Sequence, residues 1–371
     1  MRILRSILVI LALAFPACDD ALDNATAQAL DSSLLDLKAA EPAIDVSLLV
    51  PPYIYATVGF KTEIFFDNIV LVDDSAQYRF RVSGIDLGKK KDLGKNDRKW
   101  SFVPKADDVG HHLLTIAVES DRGGPTLAET ETTLVVSAPN SSGARLLLVG
   151  DSLTAAGVYP AALARLMPSS TFVSHGVGGW RYAYALSSPT SPFLDVDAYV
   201  RDAFAGVPPD VVTFELGIND VFNGSRDLGG MDDPAAVERA IDIMLESADA
   251  LLARFRASMP AATFGIALVT PPNARESAFE ANYGARVPPV HRASWRRAQH
   301  RTVQRQIAHF GGREREGIFL IPTEVSLDPW AGFPIDNALH PNALGYEQIA
   351  TTFHAWAVNL PLGVSNRHGT W

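Results

Sequence analysis

One cysteine, Cys18, stands in 371 residues, so no intramolecular disulfide can form and a site built from several thiolates is excluded. No apolar run reaches the roughly 18 to 20 residues that a membrane-spanning helix needs. Positive charge is also scarce. Against 42 Asp and Glu there are 32 Lys and Arg, a net charge of −10 that repels a phosphate backbone and argues against nucleic acid as a partner. Few stretches are of low complexity, and 47% of the residues are hydrophobic, enough for a packed core and, at this length, for two folded units behind a leader.

The leader is MRILRSILVILALAFPAC, residues 1–18, with Arg2 and Arg5 ahead of an apolar run from Ile7 to Phe15 and the small pair Ala17-Cys18. That order of charge, apolar run and small residues marks a secretory signal, too short to span a bilayer permanently. The end of this segment resembles a bacterial lipobox, which implies that Cys18 becomes a lipidated N-terminus; the plainer reading makes it a small residue at an ordinary cleavage site. Residues 19–42 are then a polar tether, and the chain is expected to be exported, as a lipid-anchored periplasmic or cell-surface protein or as a secreted one.

From 43 to 138 short runs of period two, VSLLV, TEIFFDNIVLV, YRFRVSG, KWSFVP, HHLLTIAVES and TETTLVVSA, predict a small antiparallel β-sandwich of immunoglobulin-like type. The basic stretch KKKDLGKNDRK, 89–99, falls between two of these strands and reads as a solvated loop. After a Pro, Ser and Gly linker, 139–144, the texture changes. Apolar runs RLLLVG, TFVSHG, VVTFELG, TFGIALV and GIFLIP alternate with helical stretches at 234–258, 291–310 and 343–358, and 361–371 is a tail. Strands that read as continuous apolar runs separated by helices indicate a five-stranded parallel sheet covered on both faces, a three-layer α/β domain over 145–360. In such sheets the ligand lies beyond the carboxyl ends of the strands, so the residues just after each run carry the chemistry.

Ser152 follows the first run in GDSLT, at a strand-to-helix turn where backbone N–H groups face a developing oxyanion. Three glycines follow the second run in HGVGGW and let the backbone approach a substrate closely. Asn219 and Asp220 follow the third in ELGIND, where an Asn amide can donate to an oxyanion. His340, in FPIDNALHPNALGY, is a candidate catalytic base with Asn337 three residues and Asp336 four residues before it.

These four blocks, in this order, resemble the SGNH or GDSL-type hydrolase superfamily from about 145 to 358. The resemblance implies a flavodoxin-like fold and ester hydrolysis without metal or cofactor. It implies Ser152 as nucleophile, His340 as base, and an oxyanion hole from Ser152, Gly179 (with Gly178 as the fallback) and Asn219. In that family the acid sits three residues before the histidine, where this chain has Asn337. Residues three and four back lie on the same side of a helical or turn-like bend, so Asp336 is taken as the acid. A dyad oriented by Asn337 or a backbone carbonyl is the alternative, and Asp328 is a remote third candidate. The expected substrate is a carboxylic ester, preferably a short acyl group such as acetate on a polysaccharide. Rival readings are an acyltransferase of the same fold and a non-catalytic carbohydrate-binding surface lipoprotein.

Other features carry less. His291, His300 and His309 recur every nine residues and so fall on different helix faces, which makes them surface groups and not a metal set. WRRAQHRTVQRQ, 295–306, reads as an exposed Arg-rich helix face. Adjacent His111 and His112 point to opposite faces of a strand, and His354 belongs to a packing helix. Trp180 and Trp330 either floor a substrate pocket or pack in the core or at its rim.

Overall fold

Alternating side chains within each buried strand decide the layering of the α/β domain. In the computed structural model, which describes residues 46–84, 91–93, 97–139, 143–287 and 289–360, five strands form one parallel sheet: β8 (Arg145–Gly150), β9 (Thr171–Gly176), β10 (Val211–Glu215), β11 (Thr263–Ala267) and β12 (Ile318–Ile321). Their order is β12-β11-β10-β8-β9, the flavodoxin-like order of a doubly wound sheet. Along β8, Leu147 and Val149 join a core with helices Tyr182–Ser187, Val196–Ala203, Pro234–Ser258 and Arg292–Phe310, while Leu146 and Leu148 join a second core with Val158–Leu166 and Ala343–Val358. Each face therefore has its own apolar layer, which is why these strands read as unbroken hydrophobic runs.

The order reverses between β8 and β10, the topological switch point at which such sheets bind ligands beyond the strands' carboxyl ends. Ser152 follows β8 and Asn219 follows β10, so the two groups predicted from separate motifs flank that crevice.

The front layer holds β1 (Tyr53–Thr57), β3 (Arg79–Gly84), β4 (Lys91–Leu93), β6 (Gly110–Glu119) and β7 (Thr126–Ser137) in the order β1-β7-β6-β3-β4, with a ribbon of β2 (Thr62–Phe65) and β5 (Lys99–Phe102). Ile54, Phe80, Ile116 and Leu134 from the sheet share a core with Ile64 and Trp100 from the ribbon. Three expectations are corrected. The sheet is mixed and not wholly antiparallel, because β1 pairs with β7 in parallel; period-two alternation is the same for either direction. The basic stretch 89–99 is not all loop, since β4 pairs there with β3. In TEIFFDNIVLV the strand also stops at Phe65, and Phe66–Ile69 is a helical turn.

That turn ties the layers together, and residues from Val46 onward belong to one compact unit. Asn68 Nδ2 donates to the carbonyls of Glu324 and Leu327 at 2.7 and 2.8 Å. Arg296 Nη2 donates to the carbonyls of Asp67, Asn68 and Val70 at 2.7, 2.6 and 3.3 Å. Here the exposed-face reading of 295–306 needs correction. Arg297, Arg301 and Arg305 lie on the outer face, paired with Asp232, Glu238 and Asp242, but Arg296 and His300, one turn apart, are buried. Burial beside the Arg296 guanidinium pushes His300 down to about 3, so it is a neutral core group and not a surface one. The leader with Cys18, the tether and the tail from 361 lie outside the described residues.

Removing the buried guanidinium leaves three front-layer carbonyls without this donor, two of them in buried hydrogen bonds. Arg296→Ala should therefore cost about 3 kcal/mol of stability, read as a lowered denaturant midpoint with the slope unchanged. A midpoint within error of the parent protein would mean that Arg296 does not pin the layers.

Candidate active site

Three close approaches shape the site before any chemistry is considered. At Gly150, the last residue of β8, a Cβ would sit 1.9 Å from Thr154 Oγ1 and 2.9 Å from the Glu215 carbonyl. At Gly176, the last of β9, it would sit 2.2 Å from the backbone nitrogen of Ala155. Gly217 enters the helix Ile218–Asp227 with φ of 121°, a conformation that only glycine adopts without strain. Any side chain at the first two positions would push the serine turn away from its neighbours.

Ser152 opens the short helix Ser152–Ala155, whose N-cap Asp151 accepts the Leu153 N–H at 2.9 Å. The glycine loop beside it is a turn closed by Trp180 N to the Val177 carbonyl at 3.1 Å, with Gly179 at φ of 79° in the position where a type II turn needs glycine. Gly178 precedes it in the same turn. Asn219 stands in the first turn of Ile218–Asp227; its Nδ2 donates to Asp151 Oδ2 at 3.0 Å, and its Oδ1 accepts from Asn223 Nδ2 at 3.2 Å. Asp220, the next residue, is buried and accepts the Tyr182 N–H on both carboxylate oxygens, at 3.0 and 3.3 Å. One carboxylate thus links the helix of Asn219 to the residues that follow the glycine loop.

His340 reaches this crevice from the far side. Its Nε2 lies 3.0 Å from Ser152 Oγ. The ring is half-buried, and burial lowers its pKa below the usual 6.5, so it is a neutral acceptor at neutral pH.

Asp336, expected as the acid, is not brought to that ring. Its side chain is exposed, and among the described residues no hydrogen bond or ion pair joins it to His340. The segment is a chain of turns instead of a helix, so four residues of spacing do not return a side chain to the same side. Asn337 is present but acts on the backbone: its Oδ1 accepts the N–H groups of Leu339 and His340 at 3.1 and 2.9 Å. Asp328 is committed elsewhere, its Oδ1 accepting from Trp330 N and Ala331 N, each at 2.9 Å.

Two residues missed by sequence reasoning hold this loop. Asn273 Nδ2 donates to the carbonyls of Pro334 and Asn337 at 2.8 and 2.9 Å, and its backbone N–H donates to the Ala338 carbonyl at 2.9 Å. Asn282 accepts from Ala338 N at 2.7 Å and donates to the Asp336 carbonyl at 3.0 Å. Asn273 follows the fourth apolar run in TPPNA, so its place after a strand end is the signal that points to it. Trp180 is buried against His175 and Phe193 and is a core residue; Trp330 is partly exposed, its indole N–H 3.2 Å from Asp67 Oδ2. Among the described residues no group of three or more His, Cys, Asp or Glu side chains could hold a metal ion.

Residues 148–348 match the GDSL-like Lipase/Acylhydrolase family. Among solved structures, the chain is similar to the lipase Lip_vut3 from a goat rumen metagenome, at 14% identity and TM-score 0.42, over 57% of this chain and 96% of that one. It is also similar to a Clostridium thermocellum family 3 carbohydrate esterase, at 17% identity and TM-score 0.37, over 59% and 96% of the two chains. A family 3 carbohydrate esterase from Talaromyces cellulolyticus aligns at 19% identity and TM-score 0.39, over 58% and 96%. No curated protein matches the chain. The family match spans more than half of the chain, including the serine turn, the glycine loop, Asn219 and His340, and the chain therefore belongs to the GDSL-like lipase/acylhydrolase family and is an ester-bond hydrolase.

Proposed function

We propose that the chain is an exported serine esterase in which Ser152 and His340 work as a dyad. The observation that carries this reading is the 3.0 Å hydrogen bond between Ser152 Oγ and His340 Nε2 at the switch point of the sheet. Ser152 Oγ attacks the ester carbonyl while His340 Nε2 takes its proton, and the carbonyl oxygen becomes an oxyanion facing the N–H groups of Ser152 and Gly179 and the Asn219 amide. The imidazolium then gives its proton to the leaving alcohol, and the acyl group remains on Ser152. Water, deprotonated by the same imidazole, attacks the acyl group; collapse frees the acid and returns the proton to Ser152 Oγ.

A dyad is favoured over an Asp336 triad by the hydrogen bonds of the histidine loop. Asn337 orients His340 through the backbone, and burial alone keeps the ring neutral and ready to accept a proton. For the substrate we propose a short acyl group, acetate on a carbohydrate, because the serine turn and glycine loop that face it are short. Export through the leader and lipidation at Cys18 complete the proposal, on the charge and small-residue pattern of residues 1–18.

On a nitrophenyl acetate or acetylated xylan, Ser152→Ala should abolish acetate release with the fold intact by circular dichroism. Full turnover in that variant would sink the esterase reading. Asn337→Ala should lower kcat by about tenfold or more, since losing the cap moves the imidazole by a fraction of an ångström, whereas Asp336→Ala should change it by less than about twofold; the reverse order would restore the triad. The mature N-terminus, measured by mass spectrometry, should be Cys18 carrying diacylglycerol, and an unmodified cleavage product would remove the anchor from the proposal.

A further inference from the structure

Beneath Ser152 and Asn219 lie two carboxyl groups that the reaction does not touch. Asp151 follows β8 and Glu215 ends β10, with 0% and 4% of their surfaces exposed. The strands bring them together: Glu215 is opposite Gly150 in the parallel register, and Asp151 N donates to the Glu215 carbonyl at 3.3 Å. Their carboxyl groups act on one another across that junction, each shifting the titration of the other. Two like charges so close and shut away from water cannot both ionise, so one of the acids keeps its proton.

The surrounding donors decide which acid keeps it. Asp151 Oδ1 accepts from Leu153 N at 2.9 Å and Oδ2 accepts from Asn219 Nδ2 at 3.0 Å. Glu215 Oε2 is buried without a hydrogen-bond partner. Negative charge settles where N–H groups point, which leaves Asp151 ionised and the proton on Glu215. Burial raises both acids, and the charge on Asp151 raises Glu215 further. The other titratable groups near the pair are Tyr159, Tyr182 and Tyr346, all kept neutral by burial, together with buried Asp220 and Arg181 behind it.

The position of this proton bears on the Asn219 amide. Its oxygen accepts from Asn223, one of its N–H groups goes to Asp151, and the second remains for a substrate oxygen. If Asp151 gained the proton it would become a donor, its partner of choice would be the amide oxygen, and the amide could turn over and present the wrong atoms to the crevice. We infer that Glu215 is a positioning residue of the esterase: by keeping its proton and donating it to Asp151, it keeps an Asn219 N–H aimed at the oxyanion. The inference rests on the esterase reading above.

Glu215→Gln preserves a donor to Asp151, while Glu215→Leu removes it at similar volume. On nitrophenyl acetate, Glu215→Gln should keep kcat within about threefold. Glu215→Leu should lose about a hundredfold in kcat with little change in KM, the size of effect that follows loss of one oxyanion donor. The direction of the pH effect follows from the lost donor. Without it the Asp151 pKa rises, so the ascending limb of kcat in Glu215→Leu should move to higher pH, while that of Glu215→Gln stays with the parent protein. Equal losses in both variants, a parent-like kcat in Glu215→Leu, or a loss that does not vary with pH would each overturn the inference. Where Glu215→Leu does not fold, the infrared difference between the parent protein and Glu215→Gln at neutral pH decides it: a protonated-carboxyl band is expected, and its absence counts against the assignment. Ser152→Ala, assayed alongside, reports on the esterase reading alone.

Discussion

The crevice at the switch point of the sheet depends on how closely β8 and β10 can approach at their carboxyl ends. Gly150 has no side chain to hold the strands apart, so the Glu215 carbonyl and the Asp151 N–H meet directly behind the serine turn. From that contact follow the Asp151 cap on Leu153 and its hydrogen bond to Asn219, which together fix the serine turn and the Asn219 amide relative to each other. Gly176 continues the same tight packing to β9, and Asp220 ties the end of the glycine loop to the helix of Asn219. A shared buried carboxyl network and a few missing side chains set the spacing of groups that come from three different loops.

The histidine side of the crevice is built differently. Neutral amides hold it: Asn273 and Asn282 clasp the loop through its backbone, and Asn337 caps the two N–H groups ahead of the ring. The acids of the crevice lie beneath Ser152, whereas among the described residues none is hydrogen-bonded to the imidazole. This arrangement holds the loop in place with no carboxylate hydrogen-bonded to the ring. The front layer is anchored to the same helical scaffold by Arg296 and Asn68, both of which place buried polar groups on backbone carbonyls. Such contacts specify one docking geometry because each alternative would leave a buried donor or acceptor unmatched.

Much of this was legible in the sequence, and the reasons differ by element. Unbroken apolar runs such as RLLLVG and VVTFELG can be satisfied only by strands covered on both faces, and the helical stretches 234–258 and 343–358 match their helices residue for residue. Ser152, Gly179 and Asn219 sit at strand ends, where local turn chemistry marks them. His300 and Arg296 escaped because their helix carries basic residues on two faces, and composition does not say which face is covered. The parallel pairing of β1 with β7 escaped because alternation carries no direction.

The sequence by itself determined the layer architecture, the chain order of the reactive groups and the identity of the nucleophile and base candidates, since periodicity and turn residues act over a few positions. Only the tertiary structure shows what holds the loop of His340. Spacing along the chain allowed Asp336 or Asn337, but a run of turns does not keep helical neighbours together, and the loop takes its shape from Asn273 and Asn282, more than 50 positions away. The same holds for Asp151 and Glu215, two ordinary acids in separate motifs that parallel strands set side by side away from water.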